Sequence, residues 1–161
     1  MKSTTRFGFA MVLALFSFFG FNQTAQAATY SHHSGTICKN YNAGEATLID
    51  YLDYGARVTS SYGTSVICPL VRATTNSAGA TADVDVYTSS NQYVSCTFTS
   101  YNYASNTPLG SVSASWTGTG FHEFGLYLPS GSSTFWSTYS VRCYLPGNYS
   151  GVLKDVDLIE Y

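Results

Sequence analysis

Apolar and polar side chains alternate with a period of two along most of the chain from residue 35 onward, the mark of strands with one face buried. In residues 64–72, Val66, Cys68 and Leu70 share one face. Pro69 has no N–H for a ladder bond, so it marks an edge, a bulge or a strand end. Residues 82–88 send Val84 and Val86 one way and Asp83, Asp85 and Tyr87 the other. Residues 93–99 repeat the pattern with Val94, Cys96 and Phe98, and the intervening Ser89, Ser90, Asn91 and Gln92 predict a hairpin turn. Serine alternates with Val112, Ala114 and Trp116 over 111–117, leaving one face small and hydroxylated. Segment 121–128 runs into a Pro129-Ser130-Gly131 turn. Over 135–145, Phe135, Tyr139, Val141, Cys143 and Leu145 share a face, with Trp136, Arg142 and Tyr144 opposite. The last stretch, 152–161, opposes Asp155 and Asp157 to Val156 and Leu158. Only residues 43–54 are ambiguous, since Leu48, Ile49, Tyr51 and Leu52 suit a helical turn as well as a strand. Eight or nine short strands with no sustained helical pattern predict an all-β fold, an antiparallel β-sandwich of jelly-roll or Greek-key type.

The first 27 residues break this rhythm. Lys2 and Arg6 lead into an apolar or small-residue run from Phe7 to Phe21, and Ala25-Gln26-Ala27 closes the stretch with a small-x-small pattern. A charged start, an apolar middle and such an ending predict a secretory signal peptide over 1–27. The run falls short of the ~20 residues that span a bilayer, so no membrane attachment is expected after cleavage. Residues 28–34, with His32 and His33, read as a loose entry segment, and 35–161 as a single β-sandwich domain. The expected location is periplasmic or extracellular.

Without the leader, five basic residues (Lys39, Arg57, Arg72, Arg142 and Lys154) face nine acidic ones, a net charge of −4. A mildly acidic domain with no basic run argues against nucleic acid as a partner. Four cysteines, Cys38, Cys68, Cys96 and Cys143, all lie beyond the leader and far apart. An even number in an exported chain predicts two disulfides, and zinc is disfavoured because no two cysteines are two to four residues apart. Three connectivities are open. Cys38–Cys68 with Cys96–Cys143 is the simplest, because each bridge then stays within one half of the chain. Cys68, Cys96 and Cys143 share the phase of the buried residues on their strands, which predicts buried bridges between layers.

Several elements together resemble a known group. Gly35-x-x-Cys38, Cys68-Pro69-Leu70-Val71-Arg72, Val94-x-Cys96-Thr97 and Cys143-x-Leu145-Pro146 before a closing strand look like a set of small, exported, uncharacterised bacterial proteins. The Cys-Pro-Leu-Val-Arg element is the most specific. The resemblance covers nearly all the chain beyond the leader and implies a bacterial exported β-sandwich. It implies no activity and no functional residue.

Catalytic patterns are weak. No Gly-x-Ser-x-Gly elbow occurs, His122-Glu123 lacks the second histidine of a zinc-protease helix, and the cysteines are committed to bridges. The expectation is a chain that is not an enzyme, with a small carboxylate-dependent hydrolase as the remote alternative. Alternate strand positions face the same way, so Asp83 with Asp85, and Asp155 with Asp157, each direct two carboxylates to one side. Calcium takes clustered oxygen ligands, which makes these four the candidate metal residues and calcium the only cofactor suggested. All 14 tyrosines and both tryptophans lie beyond the leader. Trp136 and Tyr144, in the outward phase of a strand already apolar on its other face, are candidate ligand-binding residues together with Arg142. The sequence therefore points to an exported binding module for a glycan or a cell-surface protein. Self-association of exposed strand edges, as in a structural protein of the cell envelope, is the alternative.

Overall fold

Residues 28–75 and 78–161 are described by a computed structural model. The alternating segments form nine antiparallel strands: β1 (Thr29–Ser34), β2 (Lys39–Asn40), β3 (Ile49–Leu52), β4 (Gly55–Val58), β5 (Thr64–Leu70), β6 (Ala80–Asn102), β7 (Thr107–Leu128), β8 (Ser137–Leu145) and β9 (Gly151–Glu160). Their hydrogen-bonded order is β2-β5-β8-β6-β9-β4-β3, with β1 added to β9 and β7 to β6.

β6 and β7 are long because each serves two layers. Residues 80–88 of β6 pair with β9, residues 95–102 pair with β8, and β7 runs along both halves. The first layer is thus β7–β6–β9 with β1, β4 and β3 beyond it. The second is β7–β6–β8–β5–β2. Val84, Val86, Leu126, Val156 and Leu158 of the first layer and Val66, Val94, Phe98, Val141 and Leu145 of the second are fully or nearly fully buried in one core. The sandwich expected from periodicity is therefore the fold.

Three local expectations are corrected. Residues 89–92 do not turn the chain. They are exposed within one continuous strand, where the register with β7 slips between Thr88 and Gln92 opposite Gly120 and Gly118. Gly120 adopts φ +102°, open to glycine at no steric cost, and the bulge lets the strand pass from one layer to the other. The two halves bond to β9 and β8 rather than to each other, so a polar interruption of the pattern marks a change of layer. The hairpin turn lies at residues 103–106 instead. There Asn106 takes φ 51° and Asn102 Oδ1 accepts a bond from the Ala104 N–H, the usual use of asparagine in turns.

The segment expected to be loose, 28–34, is largely strand: β1 pairs residue by residue with β9, from Thr29 opposite Glu160 to Ser34 opposite Asp155. The cysteines pair as Cys38–Cys68 and Cys96–Cys143, but the bridges do not cross between layers. Cys96 and Cys143 are direct cross-strand neighbours on β6 and β8, and Cys38 precedes Lys39, whose partner on β5 is Ile67, next to Cys68. Directly opposed residues in an antiparallel pair approach closely enough to bridge, so buried phase on adjacent strands suffices. The ambiguous segment resolves as a 3-10 turn over Ala43–Leu48 followed by β3.

The Cys-Pro-Leu-Val-Arg element ends in a structural anchor. Pro69 faces Ser140 of β8, and β2, which reaches only Val66 and Ile67, does not extend to it on the other side. Arg72 Nε donates to buried Glu160 (2.9 Å), whose other oxygen accepts the N–H groups of Ala73 (2.7 Å) and Thr74 (3.0 Å). Arg72 Nη1 also donates to the Thr134 carbonyl and the Ser137 hydroxyl, and the guanidinium lies 4.9 Å from the Tyr139 ring centroid. One side chain thus joins the exit of β5, the end of β9 and the loop before β8. The expected signal peptide lies outside the described residues. Among those described, no helix is long and apolar enough to cross a membrane.

Candidate functional site

Two outer faces gather the candidate residues. On the second layer, cross-strand pairing sets Ile67, Arg142, Thr97 and Ser113 in one row, with Pro69, Ser140, Thr99 and Ser111 in the next. These outward positions are small or hydroxylated because the inward ones carry the core. The Thr97 and Ser113 hydroxyls bond to each other at 2.8 Å, and those of Thr99 and Ser111 at 3.1 Å. A groove of about 210 Å³ lies on this floor, with Tyr41, Tyr101, Pro108 and Arg142 completing its lining. Tyr41 follows β2, held by a bond from its N–H to the Ser65 carbonyl, and its ring stands 5.0 Å from the Arg142 guanidinium carbon. Such stacking keeps the guanidinium flat and its edge donors open. Further along the face, Tyr144 packs 6.2 Å from Tyr93, over Gly63, where a Cβ would clash with the phenol.

The expected trio therefore divides. Arg142 lies in the groove and Tyr144, 38% exposed, on the same face beyond it. Trp136 is 64% exposed but precedes β8 instead of lying on it. It stands 6.0 Å from Tyr103 at the β6–β7 hairpin tip and 4.6 Å from Phe135. Eight residues separate Trp136 from Tyr144, about 26 Å along an extended strand, so the two do not share one ring-sized ligand. Phe135, expected inward, is exposed as well. The alternation fails there because residues 129–136 form a loop: Ser132 N bonds to the Pro129 carbonyl, Gly131 takes φ +87°, and β8 begins only at Ser137.

On the first layer the two aspartate pairs converge. Asp83 faces Asp157 and Asp85 faces Asp155 across β6 and β9, so two alternations in register yield a block of four carboxylates. β1 adds His32 opposite Asp157 and Ser34 opposite Asp155. The Tyr30 hydroxyl donates to Asp157 Oδ2, and His32 Nδ1 meets Asp157 Oδ1. Burial, then the charge of Asp85 and that of Asp157, push the Asp155 carboxyl up to about 6; His32 acts the other way, and Asp155 also hydrogen-bonds Asp85. Asp83 is raised mainly by burial, then by Asp157 and Asp85. The Tyr30 phenol is pushed up to about 12, chiefly by its bond to Asp157. A cavity of about 440 Å³ opens beside the block, lined by Asp53, Tyr54, Asp85, Phe121, Lys154 and Asp155 among others. Lys154 Nζ sits 3.8 Å from the Tyr54 ring centroid and 5.9 Å from that of Phe121.

His32, Asp155 and Asp157 each place one ligand atom within 4.8 Å of the others. That set, two carboxylates and a ring nitrogen, suits a borderline cation; calcium, which takes six to eight oxygens, would draw on the carboxylates of the block instead. Sequence reasoning did not reach His32 or Tyr30, although Tyr30, His32 and Ser34 already alternate. Tyr41 gave no signal, since a two-residue strand has no period.

No family model matches the chain, and no curated protein matches it. Solved structures do show remote likeness. The CBM36-1 domain of a multidomain xylanase from the hindgut metagenome of Trinervitermes trinervoides aligns at a TM-score of 0.47 and 7% identity, over 83% of this chain and 98% of that one. TmCBM61 in complex with β-1,4-galactotriose aligns at 0.46 and 10%, over 84% and 90%. The carbohydrate-binding module CBM36 in complex with calcium and xylotriose aligns at 0.46 and 10%, over 81% and 99%.

Proposed function

We propose that this chain is a non-catalytic, exported binding module that holds a glycan on the outer face of its second layer. The observation that carries this reading is the groove itself. Arg142, stacked on Tyr41, stands over a floor of paired Ser and Thr hydroxyls, with Tyr101 lining the groove and Tyr144 and Tyr93 further along the same face. Sugars present apolar C–H faces and rings of hydroxyls. Aromatic side chains accept the former, and guanidinium, serine and threonine groups bond the latter. An uncharged floor with one cation fits a neutral or mildly acidic polysaccharide.

The first-layer cavity is larger, but its charged groups are already engaged with neighbours within the fold. Asp155 is hydrogen-bonded to Asp85, and the Lys154 ammonium rests on the Tyr54 ring. Hydrogen-bonded carboxyls also stand closer than the ~5 Å or more that glycoside hydrolysis needs between its two acids. This supports binding over hydrolysis. Calcium belongs to the proposal as a cation held by the carboxylate block, where it would offset the repulsion among Asp83, Asp85, Asp155 and Asp157. A rise in melting temperature with millimolar calcium, abolished in Asp155→Asn, supports that element; an unchanged melting temperature removes it.

The test of the glycan reading is retention of the protein on a panel of immobilised plant, bacterial and algal polysaccharides, followed by titration calorimetry. Arg142→Ala and Tyr41→Ala should each weaken binding at least about tenfold, or 1.4 kcal/mol, while Trp136→Ala leaves it unchanged. No retention by any polysaccharide, or loss confined to Trp136→Ala, overturns the assignment.

A further inference from the structure

The outermost strands of the two layers differ sharply in length. On one side the layers end in β1 (six residues), β2 (two) and β3 (four). On the other side both end in β7, 22 residues long, which among the described residues pairs with β6 alone. Proteins blunt such edges with charge, proline, bulges or brevity. Strand β7 has its sole acid at Glu123, and its register with β6 slips twice, at Leu109, an extra β7 residue between Pro108 and Gly110, and at Thr119, which three β6 residues oppose. In its first half, residues 111–117 lie between these slips, in unbroken register with β6, and carry neither charge nor proline. On the inner side of that half, Val112, Ala114 and Trp116 are only partly buried against the core.

We infer that residues 111–117 of β7 are the seam of a homodimer, in which the same segment of a second copy pairs antiparallel about a twofold axis. The occupant follows from the strand's properties. A row of free N–H and C=O groups calls for an extended partner. A neutral segment meets its own copy without like-charge repulsion, and antiparallel pairing of a strand with itself closes at two subunits. A second copy also extends the cover over Trp116 and Val112. Both hydroxylated outer faces then lie on one side of a continuous sheet.

Sedimentation velocity of the purified protein tests the seam, over about a hundredfold range of concentration. The expected result is twice the monomer mass at the upper end. Ser115 and Thr117 are exposed and lie outside the groove lining. Ser115→Lys with Thr117→Lys should raise the dissociation constant at least about tenfold. Mixing that variant with Ser115→Glu, Thr117→Glu should restore a heterodimer, which shows that both remain folded. Should the double lysine variant fail to fold, Thr117→Lys alone gives the same reading. A native chain that stays monomeric throughout overturns the inference, as does a dimer indifferent to these substitutions. Polysaccharide retention by the lysine variant is expected to persist, so failure of the seam and failure of the glycan reading are separate outcomes.

Discussion

Replacing Asp155 by asparagine should stabilise the domain at neutral pH and leave it nearly unchanged in acid. Asp155 faces Asp85 across β6 and β9, with Asp157 two residues on and Asp83 diagonal to it. Burial and the charges of Asp85 and Asp157 raise its carboxyl from 3.8 to about 6. Below about pH 4 the group holds its proton in both folded and unfolded chains. Between about 4 and 6 the folded chain alone holds it. Above 6 both have lost it, and the folded state bears the full repulsion. Stability from this group is therefore greatest in acid and falls as pH rises through 6. A shift of two units corresponds to about 3 kcal/mol. Because the side chain is only partly buried, screening reduces that to about 1 kcal/mol. Asparagine keeps an amide donor for Asp85 and removes the charge, so the variant should gain about 1 kcal/mol at pH 7–8, roughly 3–5 °C in melting temperature. Urea denaturation of both proteins from pH 4 to 8, followed by tryptophan fluorescence, measures this. An Asp155→Asn variant less stable than the native protein at pH 8, or a native curve with no decline through pH 6, refutes the account.

Replacing Cys96 and Cys143 together by alanine frees a loop of sequence separation 47 and should lower stability by roughly 3–4 kcal/mol; equal denaturation midpoints with and without reductant would contradict it. Glu160→Ala removes the buried carboxylate to which Arg72 Nε and the N–H groups of Ala73 and Thr74 donate. A loss of about 3 kcal/mol is expected, with Glu160→Gln milder, and denaturant titration measures both. Phe98→Ala empties a fully buried site beside Tyr139 and should destabilise by about 3–5 kcal/mol, read from the shift in urea midpoint.

Period-two alternation made most strands of the fold legible, because a half-buried strand writes its burial directly into sequence. Val66, Cys68 and Leu70 or Val94, Cys96 and Phe98 could scarcely point anywhere else. What alternation does not encode is the partner. Ser89 to Gln92 read as a turn because nothing local distinguishes a chain that reverses from one that crosses between layers. The same gap hid the bridges: the phase of Cys96 and Cys143 was legible, but not that they stand side by side in one layer. In the candidate site, the outward phase of Arg142, Tyr144 and the aspartates was readable. The convergence of Asp83 with Asp157 and Asp85 with Asp155 needed the β6–β9 register, formed across some 70 residues. Tyr41 was beyond reach, since a residue after a two-residue strand is placed by the groove it closes. Trp136 escapes the pattern for the opposite reason, since parity does not carry past the end of a strand into a loop.

The pairing of β1 with β9 has a consequence for the order in which the molecule completes itself. Among the described residues the first strand, β1, pairs with the last, β9, with Thr29 against Glu160. Contacts this distant in sequence close late, after the local β6–β7 hairpin can form. Until the C-terminal residues are made, Tyr30 and His32 have no Asp157 to meet, and Asp83 and Asp85 face an empty flank. A chain cut short before residue 151 would thus keep the long hairpin and both cysteine pairs, yet leave its opening strand unmatched and open to proteolysis.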